Sequence, residues 1–97
     1  MCVPYFLIAA IRQTGATHLI LIPGNAWTGA HSWTQSWYGT SNSIVMQSIV
    51  DPMNNYVFDL HQYLDGDFSG TSDGCSLGNG ANQLMAVTQW LRTETVK

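Results

Sequence analysis

The sequence predicts an α/β protein and, within that class, a partial (β/α)8 barrel that is incomplete at both ends. Three observations carry this reading. Two short runs, residues 19–22 (LILI) and 56–61 (YVFDLH), are apolar on nearly consecutive positions, as expected of parallel strands covered on both faces. Segments with helical spacing of apolar residues stand before, between and after them, which gives the alternation of a parallel sheet with crossover helices. Each run is followed by a long polar loop, as barrel strands are on the face that carries function. Two strands cannot close a barrel or cover their own faces, so the 97 residues read as one piece of a larger domain.

Each element has a local justification. Residues 5–14 (YFLIAAIRQT) place Phe6, Leu7, Ala10 and Ile11 on one helical face, and Gly15 suits the left-handed position that closes a helix. The first strand follows and is stopped by Pro23 and Gly24. Residues 25–39 (NAWTGAHSWTQSWYG) show no period and read as a loop carrying Trp27, Trp33, Trp37 and Tyr38. Residues 43–50 give one or two helical turns, and the DPMNN that follows is turn chemistry. After the second strand a loop runs to Gly80, and the final helix over 82–92 sets Leu84, Val87 and Leu91 at helical spacing.

Composition narrows the function. Apolar residues make up 45% of the chain and charged ones only 9%, far below the usual quarter, so the surface of a free-standing domain would be short of charge. The net charge is −3, and only Arg12, Arg92 and Lys97 are basic, which leaves no patch able to neutralise a row of phosphates. Nucleic acid is excluded as a partner on that ground. No run approaches the roughly 18 consecutive apolar residues of a membrane span, so no membrane partner is expected. The opening MCVPYFLIAA lacks the basic start and cleavage site of a signal peptide. Cys2 and Cys75 have neither zinc nor redox spacing, and their pairing does not follow from sequence.

The acidic stretch after the second strand invites a calcium reading. Asp65, Asp67, Ser69 and Gly70 fall at the first, third, fifth and sixth positions of a calcium loop. The twelfth position is Ser76, where a bidentate Glu is needed, and the run before the loop is too short and too β-rich for an entering helix. A turn built from Asp, Gly and Ser is expected instead, with no metal and no cofactor.

In a barrel the site is built from the loops that leave the carboxyl ends of the strands. His61 and Tyr63 stand at the mouth of the second strand and alternate with Gln62, so both project to one side. Asn25 and Trp27 stand in the same place after the first. Tryptophans in a neutral polar loop suit a sugar, because indole stacks on the apolar face of a pyranose ring while Asn, Gln and Ser bond its hydroxyls. The competing structural reading is that Trp27, Trp33 and Trp37 pack over the barrel end and that His61 is a satisfied polar group.

The segments AIRQTGAT, PGNAWTGAHSW, YVFDLHQYLDGDFSGT and VTQWLR, in that order from about Ala9 to Arg92, resemble the glycoside hydrolase family 5 endoglucanases, or cellulases. The match covers roughly the fifth and sixth βα units of their barrel, which makes residues 1–97 a fragment of a glycoside hydrolase catalytic domain. The resemblance implies retaining hydrolysis of β-1,4-glucan by two Glu carboxylates about 5 Å apart. It also implies an extracellular location, no cofactor, and a β-glucan polysaccharide or oligosaccharide as partner. His61 and Tyr63 match the family's active-site His and Tyr in supporting roles, the tyrosine hydroxyl bonding the nucleophile carboxylate. Asn25, Trp27 and Trp33 match the loop that lines the substrate cleft.

The chain departs from that pattern at the carboxylates. The family's acid/base Glu lies in an Asn-Glu-Pro context after the fourth strand, and no such motif occurs here. Its nucleophile ends the seventh strand, whereas the only Glu present, Glu94, directly follows the last helix and reads as a helix-to-strand loop. The chain by itself is therefore expected to hydrolyse nothing. Cys75 matches a loop cysteine whose partner lies further downstream, which implies a free thiol. The alternative from another class is a non-catalytic carbohydrate-binding module using the exposed tryptophans, against which the helices at both ends count. A structural domain without ligand is a third.

Overall fold

The computed structural model describes residues 4–75 and 78–94. Helix α1 spans Pro4–Gln13, strand β1 Ile20–Ile22, helix α2 Asn42–Val45, strand β2 Tyr56–Phe58 and helix α3 Asn79–Glu94. A 3-10 turn, Met46–Ser48, extends α2. The two strands pair in parallel, with Ile20 opposite Tyr56, Leu21 opposite Val57 and Ile22 opposite Phe58. The α/β alternation predicted from the apolar runs is present. Gly15 closes α1 at φ +87, its N–H bonding the Arg12 carbonyl at 3.0 Å.

The buried side of α1 differs from the expected one. Ile8 is buried and Ile11 and Arg12 are half-buried, while Phe6, Leu7 and Ala10 face outward. The cause is Arg12. Its Nε and Nη2 donate to Asp51 Oδ1 and Oδ2, each at 2.8 Å, and the remaining N–H groups reach the carbonyls of Ala16, His18 and Asn55. All five guanidinium donors are thereby used. Asp51 also accepts the backbone N–H groups of Met53 and Asn55, at 3.1 and 2.9 Å. Chiefly the Arg12 hydrogen bonds, helped by those N–H groups, hold its carboxyl well below the usual carboxylate range against the opposing effect of burial. Because Arg12 must turn inward, Ile8 one turn earlier turns inward with it and Phe6 and Leu7 cannot.

The strands are covered on one face. Ile22 is buried, but Leu21 is 61% exposed and Leu19 is exposed beside it, as expected of two strands that cannot cover both of their own faces. Among the described residues the core forms on the Ile22 and Phe58 side, where α1 contributes Ile8 and α3 contributes Val87 and Trp90. There the core gathers Ile8, Ile22, Trp33, Met46, Ile49, Phe58, Val87 and Trp90. Three rings meet at its centre: Trp33 lies 5.4 Å from Trp90 and 6.1 Å from Phe58, and Phe58 5.8 Å from Trp90. The Trp90 indole N–H bonds the Ser43 carbonyl at 2.9 Å, which ties α3 to α2 while the rings are buried. Helix α3 is longer than its periodicity indicated. It buries Val87 and Trp90 with Leu91 against them, and Leu84, one turn earlier, stays exposed. Glu94 is the last residue of α3 and not a loop residue. Cys75 is a free, exposed thiol, and Cys2 lies outside the described residues.

Candidate functional site

Beyond the strand ends the register jumps. After Ile22 and Phe58 the next parallel bridge joins Gly29 to His61, so the first chain spends residues 23–28 where the second spends only 59–60. The excess is folded into a left-handed turn: Ala26, Trp27 and Thr28 have φ of 51, 51 and 56°. Three consecutive non-glycine residues in this region are strained, by about 1–3 kcal/mol each, and persist only where the surroundings hold them. Asn42, buried, supplies that hold. Its Oδ1 accepts the Asn25 N–H at 2.7 Å and its Nδ2 donates to the Asn25 carbonyl at 3.0 Å. Thr28 Oγ1 accepts the Gly24 N–H at 3.0 Å. A Cβ on Gly24 would collide with the Asn42 amide, so this approach requires glycine. The turn drives Thr28 inward and leaves Trp27 78% exposed, with its ring edge-on to Tyr38.

The bridge then fixes His61. Its N–H donates to the Thr28 carbonyl and its carbonyl accepts the Ala30 N–H, both at 2.9 Å. Its Nε2 lies 2.9 Å from Asp59 Oδ2. Gln62, pointing the other way, accepts the His31 N–H at 2.9 Å. Tyr63 follows with its ring over Gly70, which sits at φ +74 and where a Cβ would come within 2.6 Å of the ring.

Asp65 organises the loop behind Tyr63. It is buried and accepts the N–H groups of Gly70 and Ser72 and the Ser69 hydroxyl, at 3.0, 3.2 and 3.3 Å. Those backbone bonds, Gly70 first, hold its carboxyl below the ordinary value although burial opposes them. The Asp-Gly stretch is thus a turn tied to its own backbone, as the sequence indicated. Within it Phe68, at φ 61, lays its ring 4.9 Å from His31, whose other side faces Trp37 at 6.3 Å.

These parts enclose a cleft of about 700 Å³ at the carboxyl ends of the strands. Trp27, Trp37 and Tyr38 give it an aromatic rim, and Asp59, His61 and Tyr63 a polar wall. No glutamate lines it. The rim can stack on a flat apolar face while the wall exchanges hydrogen bonds, and among the described residues no Lys or Arg lines the cleft to select an anionic ligand.

Three of the five residues singled out from sequence, Trp27, His61 and Tyr63, meet in this cleft. Two do not. Trp33 is 0% exposed and belongs to the ring cluster of the core, because the chain turns inward after the bridge at Gly29 and Ala30. A side chain without surface cannot stack on a ligand. Asn25 is spent on the loop itself: its Nδ2 donates to the Thr40 carbonyl at 3.3 Å, and it is absent from the cleft lining. Sequence reasoning missed Asp59, His31 and Phe68. Asp59 was within reach of it, since a residue two before His61 on an extended chain projects to the same side.

A parallel strand pair whose carboxyl ends open into a cleft is the arrangement in which α/β folds place their ligand sites. A family model for cellulase, glycosyl hydrolase family 5, matches residues 6–97, and the chain belongs to that family. Endoglucanase 1 of Robillarda sp. is 42% identical over 93% of the chain, and Endoglucanase 3 of Humicola insolens 46% identical over 88%. The chain spans 23% and 21% of their respective lengths. Among solved structures, an endo-β-1,4-glucanase from Xanthomonas axonopodis pv. citri superposes with a TM-score of 0.87 at 53% identity, over 93% of this chain and 29% of that one. XacCel5A, solved in complex with cellopentaose, superposes with a TM-score of 0.90 at 45% identity, over all of this chain and 33% of that one.

Proposed function

We propose that residues 1–97 form the fifth and sixth βα units of a (β/α)8 catalytic domain, and carry part of the substrate cleft of a secreted, retaining endo-β-1,4-glucanase. The observation that supports this most is the convergence of Trp27, His61 and Tyr63 on one cleft at the strand ends, built on a strained turn that the core holds in place. In this reading Trp27 stacks on a glucosyl ring, and His61 and Tyr63 bond the substrate and the nucleophile carboxylate. The two Glu carboxylates lie on elements outside this chain. Glu94 ends α3 and is not among the residues that line the cleft, which supports assigning both carboxylates elsewhere. The substrate is cellulose or a related β-glucan, and cellopentaose in XacCel5A gives the oligosaccharide with which to test it.

The test is reducing-sugar release from carboxymethyl cellulose by the 97-residue chain, beside a version extended through the flanking strands. Release by the extended form alone is expected. Release by the short chain, abolished by Glu94→Gln, would overturn the assignment of the carboxylates. Cellopentaose binding by both forms without release by either would favour the binding-module reading, which uses the same aromatic rim.

A further inference from the structure

We propose that Asp59 is a positioning residue for His61, holding its imidazole in one orientation with Nδ1 as the nitrogen offered to a ligand. Its consequence for substrate rests on the glucan reading above, but the link itself does not.

The geometry carries the link. Asp59 Oδ2 and His61 Nε2 are 2.9 Å apart, and an ionised carboxylate can only accept, so Nε2 must be the donor. Neutral His61 then keeps its proton on Nε2 and presents Nδ1 as an acceptor. If the ring takes a second proton, Nδ1–H becomes a donor in the same place, because Asp59 still holds the other nitrogen. Both backbones are pinned: the Asp59 N–H bonds the Ile22 carbonyl at 2.9 Å, and His61 is bonded on both sides by Thr28 and Ala30. Neither Cα can drift, so the freedom left to His61 is in its side-chain torsions, and the bond to Asp59 removes it.

Other roles for the pair fit less well. Its side chains are 52% and 37% exposed, so solvent screens the attraction and little stability comes from it. The other carboxylate of the cleft, Asp67, is taken up by the Ser69 hydroxyl at 2.7 Å and its N–H at 3.2 Å. A bond of small stabilising value that immobilises an imidazole in the cleft acts on what the imidazole meets. A sugar hydroxyl, which can donate to Nδ1 or accept from Nδ1–H, is the matching ligand group.

Nuclear magnetic resonance on the 97-residue chain with labelled histidine decides it. Three-bond couplings should show one χ1 rotamer for His61, and the ring nitrogen shifts of the neutral form should mark Nδ1 as the bare nitrogen. In Asp59→Ala the couplings should average, and affinity for cellopentaose should fall about threefold, the scale on which an exposed pair can bias the orientation of the ring. Asp59→Asn keeps an acceptor oxygen in place and should restore a single rotamer. An Asp59→Ala chain with a native backbone spectrum and unchanged His61 couplings would overturn the proposal. So would rotamer averaging in the unsubstituted chain, whatever the fate of the variant. A fixed rotamer in a form extended through the flanking strands that does not bind cellopentaose would leave the link standing and remove the glucan reading instead.

Discussion

The Trp27 ring stands edge-on to the ring of Tyr38, with centroids 5.1 Å apart and planes at 88°. The two residues come from opposite ends of the loop between β1 and α2, so the pair closes that loop into a rim. It is reached only because residues 26–28 take the left-handed conformation.

Trp27 should therefore separate binding from stability. Trp27→Ala removes a largely exposed ring, so the folded state should change by no more than about 0.5 kcal/mol, while affinity for cellopentaose should drop about tenfold, or about 1.4 kcal/mol. Trp27→Gly should bind equally poorly yet be more stable than Trp27→Ala by about 1 kcal/mol, since only glycine escapes the left-handed strain. Tryptophan fluorescence titration and urea unfolding of the two variants check both halves. An alanine variant that bound as well as the parent would remove Trp27 from the ligand surface.

Trp33 should behave in the opposite way. Its ring is enclosed by Phe58 and Trp90, and truncation to alanine should cost about 3–5 kcal/mol. Its buried indole N–H has no hydrogen-bond partner among the described residues, a burden of about 1–3 kcal/mol that Trp33→Phe would lift while leaving a smaller cavity. The phenylalanine variant should accordingly lose much less than the alanine one in urea unfolding. Equal losses would mean that the indole N–H is satisfied in solution.

The contrast between these two tryptophans marks how far the sequence could be read. Both lie in an aperiodic polar loop, and their environments are settled by where the chain turns, which here is a left-handed run at Ala-Trp-Thr with no glycine or asparagine inside it to announce it. What local chemistry governs was legible: the apolar runs of β1 and β2, the helix end at Gly15, the Asp65 turn, and the common side of His61 and Tyr63. What depended on distant partners was not. The inward face of α1 is set by an ion pair between residues 39 positions apart, and no periodicity in residues 5–14 contains that information. Asn25 looked free to bind sugar because its partner, Thr40, is brought to it only by the closed loop.

Gly70 should be intolerant of substitution for a reason tied to the cleft. Gly70→Ala places a methyl against the Tyr63 ring in a backbone conformation that disfavours it, and should destabilise the chain by about 1–3 kcal/mol. It should also displace the tyrosine. Ring proton shifts of Tyr63 should move while those of Trp33 and Trp90 stay, and cellopentaose affinity should fall. Gly66→Ala is the control, because a Cβ there meets nothing within 4 Å.

The acid limb of stability should trace largely to Asp51. Its folded value lies below that of the unfolded chain, about 3.9, so its contribution is complete above that pH and is lost as the pH falls through and below it. Asp65 is shifted in the same direction and adds to the same limb. Urea midpoints should therefore be nearly flat from about pH 5 to 7 and fall steeply below about pH 4. Asp51→Asn should lower the midpoint at neutral pH, where Arg12 is left buried without its counter-charge, and should flatten the acid limb because one titrating group is gone. Arg12→Met should do the same to the acid limb from the other side, since without the guanidinium the carboxyl returns toward its ordinary range. An unchanged acid slope in both variants would place the acid sensitivity of this fold elsewhere, with Asp65 as the next carboxylate to replace.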